Sequence, residues 1–260
     1  MTRRLRGQAA IRYYLEEKSS GISSYSSANI NPLVLDEVVK KVELILGSAT
    51  ETSAKASVVE FGSRGGALGS RICKQYRRLI YLGVEPFPPD DIFCFNTYQS
   101  TCEEFTANEL GRDYISRSDI FIYADVLEHL VNPWEHLRHI YSLAKDGAVV
   151  VASIPNILHH SSLISLGQGR FDYEEWGVLD LTHLRFFTFK TMTEMFEIAG
   201  WNVDYPGIRS ALDPEGATII ERFKFSGPFS QRLGNLSYEV KTIQDAWSIG
   251  AYQYIITATK

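Results

Sequence analysis

Apolar and polar positions follow two periods along this chain. Residues 31–46, NPLVLDEVVKKVELIL, place Leu35, Val38, Val39, Val42 and Leu46 at helical spacing. Asn31 suits the cap of that helix, Pro32 the first position, where a missing N–H costs nothing, and Gly47 the stop. GSATETSAKAS then reads as a polar linker. Residues 1–50 are therefore expected as a helical N-terminal extension, and 51–260 as the main domain. In the latter, short apolar runs alternate with helical patterns. SVVEF (57–61), LIYLGVE (79–85), IFIYAD (120–125) and AVVVASI (148–154) predict buried strands. ALGSRICKQY (67–76), NPWEHLRHIYSLAK (132–145) and TMTEMFEIAG (191–200) predict helices. Asn132 and Pro133 open the second; Thr191 and Glu194 have capping-box spacing in the third, and Gly200 stops it. WNVDYP and AYQYIITATK read as closing strands. Alternation of this kind implies an α/β fold with a mostly parallel sheet and helices on both faces. Ligands of such sheets sit beyond the carboxyl ends of the strands, so chemistry is sought in the loops after 61, 85, 125 and 154.

Composition narrows the classes. The 260 residues are 45% hydrophobic and 22% charged, which excludes wholesale disorder. A net charge of −5 offers no basic excess for a phosphate backbone, so nucleic acid is not an expected partner. Cys73, Cys94 and Cys102 form no CxxC pair, which argues against a disulfide scaffold or thiolate zinc site and suits a reducing compartment. No apolar run reaches the ~18 residues that span a bilayer, and the arginines at 3, 4 and 6 precede no apolar stretch. A cytoplasmic protein without a membrane partner is expected; a homodimer stays open.

The loop Glu60-Phe61-Gly62-Ser63-Arg64-Gly65-Gly66 joins the first strand to its helix. Its glycines let a ligand approach the backbone, and the helix start offers free N–H groups to an anion. Arg64 occupies the position where the dinucleotide fingerprint GxGxxG needs its second glycine, which speaks against a nicotinamide enzyme. Glu85 ends the second strand in GVEP, where a carboxylate can accept both hydroxyls of a ribose. In isolation it reads equally well as a solvated strand end; beside the glycine loop the ribose reading prevails.

These segments resemble class I S-adenosylmethionine (SAM) dependent methyltransferases. Glu60-x-Gly62-Ser63-Arg64-Gly65-Gly66 is similar to their first motif and GVEP to their second. YADVLEHLVNPWEHLRHI (123–140) is similar to the segment around the fourth strand of the small-molecule branch, and GRFDYEEWGVLDLTHLRFFT (169–188) to one in bacterial enzymes of sugar and surface-glycan synthesis. The resemblance spans roughly 57–200. It implies a Rossmann-like, seven-stranded, mostly parallel sheet and SAM as cofactor. It also implies cofactor contacts at Glu60, Gly62, Ser63, Arg64, Gly66, Glu85, Pro86, Asp125, Val126 and Leu127. The sequence departs from the family in two places. Arg64 replaces a glycine and either crowds the methionine end of SAM or pairs with its carboxylate. The acidic residue that meets the adenine amine has Thr101 and Cys102 as its nearest equivalents.

The resemblance further implies methyl transfer, with O-methylation of a sugar or other small hydroxylated metabolite expected. An N-acceptor, and a SAM-binding module without catalysis, remain as alternatives. A neutral hydroxyl is a poor nucleophile and needs a base within hydrogen-bond reach, for which histidine is suited near neutral pH. Of six histidines, His136 and His139 read as structural or exposed. His129 after the fourth strand, His159 and His160 after the fifth, and His183 are the site candidates. Asp180 is expected to orient His183, and Arg185 to fork onto a carboxylate or phosphate; the same residues read equally as a buried network bracing the loop. Phe171, Tyr173, Trp176, Phe186 and Phe187 mark 157–187 as an acceptor-side insert. Apart from the adjacent Glu128 and His129, no ligand spacing is evident, so no required metal is expected.

Overall fold

The computed structural model describes residues 30–48, 55–87 and 94–260; residues 1–29 of the expected N-terminal extension, and 49–54 of the expected linker, lie outside them. Helix α1 (Pro32–Ser48) begins where Asn31 Oδ1 accepts the N–H groups of Leu33 and Val34 at 3.0 and 3.4 Å. Val34, Val38 and Val42, one turn apart, are completely buried. The helix therefore lies on the sheet rather than ahead of it.

Strand β1 (Ala56–Phe61) runs into α2 (Ala67–Gln75), then β2 (Leu79–Glu85), β3 (Asn96–Gln99), α3 (Cys102–Ala107), α4 (Glu109–Arg117) and β4 (Ile120–Ala124). A 3-10 turn (Leu127–His129), α5 (Pro133–Leu143), β5 (Val149–Pro155), α6 (His160–Gly167) and α7 (Phe189–Ile198) follow. The chain ends through β6 (Asn202–Val203), β7 (Arg209–Leu212), α8 (Pro214–Ser226), β8 (Phe229–Leu233), β9 (Leu236–Val240), α9 (Ile243–Gly250) and β10 (Ala251–Thr259).

The main sheet has the order β3-β2-β1-β4-β5-β10-β6, with β7 also on β10. Strands β1 to β5 pair in parallel; β10 is antiparallel to β5, β6 and β7. The chain steps outward from β1 through β2 to β3, then crosses back to lay β4 on the other side of β1. That reversal opens a crevice at the carboxyl ends of β1 and β4. The fold matches the sequence expectation, with eight strands among the described residues where seven were expected, because β6 and β7 are two short pieces along one edge of β10.

The sheet is apolar on both faces, as central parallel strands must be. On one face Phe61 stacks on Tyr123 at 4.8 Å, and Phe105, Leu137, Phe196 and Trp201 complete the core. On the other, α1 and α2 cover Val58, Tyr81, Ile122 and Ile255. His136 belongs to the first core: its Nε2 lies 2.9 Å from the Tyr123 hydroxyl. The capping box of α7 sits three residues earlier than expected, with Thr188 as cap and Thr191, not Glu194, as its partner. Hairpin β8–β9 forms a sheet of its own and packs with α8 and α9 around Ile220, Val240 and Ile249. Among the described residues no helix is long and apolar enough to cross a membrane.

Candidate functional site

Strand β1 delivers Glu60 to the base of the crevice. Its buried carboxyl accepts the Tyr81 hydroxyl at 2.7 Å, and burial pushes its pKa up to about 8. The turn that follows is left-handed at Gly62 (φ 69°), Arg64 (φ 42°) and Gly66 (φ 65°). Gly62 cannot be replaced cheaply: a Cβ there would stand 2.6 Å from Val126 Cγ2. Arg64 pays the left-handed cost that a glycine would avoid. The turn is tied to the end of β2, because Glu85 Oε2 accepts the Arg64 N–H at 2.9 Å and Oε1 the Phe87 N–H at 3.2 Å. A carboxylate has about four lone-pair sites, so capacity for two ribose hydroxyls remains.

In front of this turn lies a cleft of about 300 Å³, walled by the start of α1, the glycine turn, the rim of β4 and β5, Trp176 and Tyr252. Asp125, the residue after β4, is also left-handed (φ 56°). Ser153 Oγ donates to its carboxylate at 3.1 Å, and so does the Gln253 amide. Gln253 in turn accepts from Asn31 Nδ2 at 2.7 Å, so an amide relay links α1 to the β4 rim. Burial pushes the Asp125 pKa up to about 6.

The 3-10 turn after β4 carries Glu128 and His129 into the same cleft, where His183 joins them. Both Leu184 and Arg185 donate their N–H groups to the Glu128 carbonyl, at 2.9 and 3.0 Å, which docks the strap around His183 onto the turn. The two imidazole rings are 4.8 Å apart at 72°. His129 Nδ1 faces the Thr182 carbonyl and His183 Nδ1 the Val178 carbonyl, each at 3.1 Å. Only an N–H can bond a carbonyl, so Nδ1 carries the proton in both and Nε2 keeps its lone pair. His183 Nε2 lies 3.9 Å from Glu128 Oε1. Glu128 is 1% exposed, and among the described residues neither carboxylate oxygen has a hydrogen-bond partner. Burial holds its pKa well above the carboxylate range, while burial lowers that of His129 to about 4 and that of His183 below the usual imidazole value.

Several expected site residues lie elsewhere or act differently. Asp180 Oδ1 holds the Thr182 N–H and hydroxyl, at 2.8 and 2.6 Å, while the Nδ1 of His183 rests on Val178; Asp180 thus shapes the strap, and a main-chain carbonyl orients the ring. His160 does not line the cleft: its Nε2 is 3.1 Å from both oxygens of Asp213, the cap of α8. The Arg185 guanidinium is spent on the carbonyls of Leu184 and Val131. Thr101 closes a capping box with Glu104, and Cys102 is buried at the start of α3, so neither lines the cleft. Val126 and Leu127 pack into the core behind the glycine turn. Pro86 leads into 88–93, outside the described residues. Glu60, Gly62, Ser63, Arg64, Asp125, His129 and His183 do converge on the cleft, and Gly66 caps the start of α2 behind it. Sequence reasoning missed Gln253 and Tyr252, whose strand lies far along the chain and carried no chemical motif.

A left-handed glycine turn after β1, a carboxylate braced beside it on β2, and an antiparallel β10 closing a parallel sheet define a Rossmann-like nucleoside-binding fold. Residues 35–205 match the model of a family described as "Methyltransferase domain", and the chain belongs to that family. It is a SAM-dependent methyltransferase. A search of curated proteins finds no match. Among solved structures, a SAM-dependent methyltransferase from Archaeoglobus fulgidus is similar at TM-score 0.51 and 18% identity, over 95% of this chain and 99% of that one. The plantazolicin methyltransferase BamL, solved with a triazolic desmethylPZN analog and SAH, is similar at TM-score 0.53 and 9% identity, over 98% and 91%. Both likenesses concern the fold.

The residues present fit this cofactor. The glycine turn exposes the start of α2 to the cleft, and Ser63 Oγ beside it is buried without a hydrogen-bond partner. Glu85 keeps acceptor capacity for a diol beside the turn, although it does not itself line the cleft.

Proposed function

We propose that the protein methylates a hydroxyl oxygen of a small acceptor, a sugar or comparable hydroxylated metabolite. SAM supplies a methyl group already activated on a sulfonium, so alignment and removal of the acceptor proton are what the protein has to add. In this reading Gly62, Ser63, Arg64 and the start of α2 hold the methionine end. Glu85 takes the ribose, and Asp125 marks the boundary between cofactor and acceptor.

The observation that carries the reading is the convergence of Glu128, His129 and His183 on the cleft that the glycine turn lines, with His183 Nε2 3.9 Å from Glu128 Oε1. An amine, once deprotonated, attacks through its own lone pair and needs no base in the transfer step, whereas a neutral hydroxyl is a poor nucleophile unless a group within reach takes its proton, and these are the groups positioned to do so. Trp176, 48% exposed at the cleft wall, offers a ring face to a sugar.

The test is turnover with SAM over a panel of free and nucleotide-linked sugars, phenols and amines, with the methylated atom fixed by NMR. O-methylation is expected. Turnover confined to amines overturns the reading.

A further inference from the structure

We propose that Glu128, His129 and His183 form a site for a divalent transition-metal ion in the acceptor half of the cleft. The ligands are the two Nε2 atoms and one carboxylate oxygen. The remaining coordination positions open toward the acceptor.

Geometry comes first. One ligand atom from each residue lies within 4.8 Å of the others. Metal–nitrogen and metal–oxygen bonds of ~2.0–2.2 Å place cis or tetrahedral ligands ~3–3.6 Å apart, so rotamer adjustments of about an ångström close the set. The rings are already aimed. Each Nδ1 is held 3.1 Å from a main-chain carbonyl, that of Thr182 or that of Val178, which fixes the tautomer and turns Nε2 outward. A metal-ligating histidine uses its second nitrogen in this way.

The independent observation is Glu128. Two buried carboxylate oxygens without a partner are costly unless something supplies positive charge or a donor. A cation bound through one oxygen would neutralise the charge of the whole group. Two imidazoles and one carboxylate select zinc, cobalt, manganese or iron(II) over magnesium or calcium, which prefer all-oxygen shells. The open positions suit an acceptor with two adjacent oxygens, such as a vicinal diol, a catechol or an α-hydroxy acid. With the ion bound, the two Nε2 lone pairs would be occupied and could not serve as the base; coordination itself would then lower the hydroxyl pKa, with the proton passing to water.

The acceptor class rests on the hydroxyl reading above; the ion does not. Protein dialysed against EDTA is titrated with Co²⁺, followed by its visible d–d absorption, and with Zn²⁺, followed by calorimetry. One ion per chain is expected. Glu128→Gln and His183→Ala should each weaken binding at least 10-fold, while His160→Ala binds as wild type; circular dichroism confirms that each variant is folded. Absence of stoichiometric binding, or binding unchanged in both cleft variants, overturns the site. If EDTA-treated protein methylates a hydroxyl at full rate and added Zn²⁺ changes nothing, the metal inference falls while the hydroxyl reading stands. If Co²⁺ binds as described but only amines are methylated, the site stands and the hydroxyl reading falls.

Discussion

Two groups, each of two histidines and one carboxylate, follow neighbouring strands of this sheet. After β5, His159 and His160 meet Asp213, a carboxylate with other duties: it caps α8 through the Gly216 N–H at 2.7 Å, and His160 approaches both its oxygens. After β4, Glu128 meets His129 and His183 and keeps both oxygens unpaired inside the cleft. The residue types are alike, and His159 Nε2 is also buried without a hydrogen-bond partner among the described residues; the difference lies in the carboxylate, which the fold uses up in one group and leaves unpartnered in the other. A satisfied group braces the chain, whereas an unsatisfied buried one retains a capacity that a bound molecule can meet.

The comparison breaks most directly in turnover. His183→Ala should lower kcat by ~10²–10⁴-fold with SAM affinity intact, the range for loss of proton-transfer assistance. His160→Ala should leave kcat near wild type. Equal losses in the two variants would erase the distinction, and a lower melting temperature with normal turnover in His183→Ala would reduce the cleft group to a brace. Steady-state kinetics with calorimetric SAM titration reads all three outcomes.

A smaller effect belongs to the group after β5 and concerns pH. His159 is held at about 4, chiefly by burial, with His160 lowering it further and Asp213 opposing; the Tyr252 ring packs against it. The native state thus keeps His159 neutral while the unfolded chain takes up a proton near 6.5. Stability therefore falls as pH drops from about 6.5 toward 4, by an amount of order 2–3 kcal/mol from this group. His159→Gln should flatten that limb in melting curves recorded between pH 4 and 7. An unchanged limb would show that His159 is not buried as described.

Glu85 stands between the extremes, with two N–H groups accepted and capacity left over. Glu85→Ala should weaken SAM binding by ~1–3 kcal/mol, the value of hydrogen bonds to a charged acceptor. Unchanged affinity in calorimetry would refute its ribose role.

How much of this was legible follows from how local each signal is. The strand ending in Glu60-Phe61, its glycine turn and the strand ending in Glu85 are contiguous, so their order and bounds could be read directly. The capping box of α7 was misplaced because Thr188, Thr191 and Glu194 repeat a three-residue spacing, and only the backbone decides which threonine is the cap. The β8–β9 hairpin was missed although Phe229, Gln231 and Leu233 alternate with polar neighbours up to a left-handed Gly234. Asp213-Pro214 is an ordinary helix start, yet nothing nearby announces that its carboxylate takes His160. The cleft group was invisible for a related reason. His183 lies 54 residues beyond His129, and local ligand spacing cannot register a contact that a strap creates by folding back on Glu128.

The smallest effect comes from Arg64, a cation whose charge reaches the cleft group but is not among the charges felt by the other. Arg64 bears electrostatically on Asp125, Glu128, His129 and His183; the groups acting on His159 and Asp213 do not include it. Its backbone is left-handed, so Arg64→Gly relieves strain, partly offset by the greater freedom of glycine in the unfolded chain; the net gain in apo stability should be at most ~1 kcal/mol. Two consequences separate strain from function. Weaker SAM binding would mean that the guanidinium pairs with the methionine carboxylate, and tighter binding that it only obstructs. In double-mutant cycles on melting temperature and kcat, Arg64→Gly should be non-additive with His183→Ala and additive with His160→Ala, because additivity fails only between sites that interact. Additivity with both would place the Arg64 charge outside the cleft and leave the unsatisfied state of Glu128 as the sole basis for telling the two groups apart.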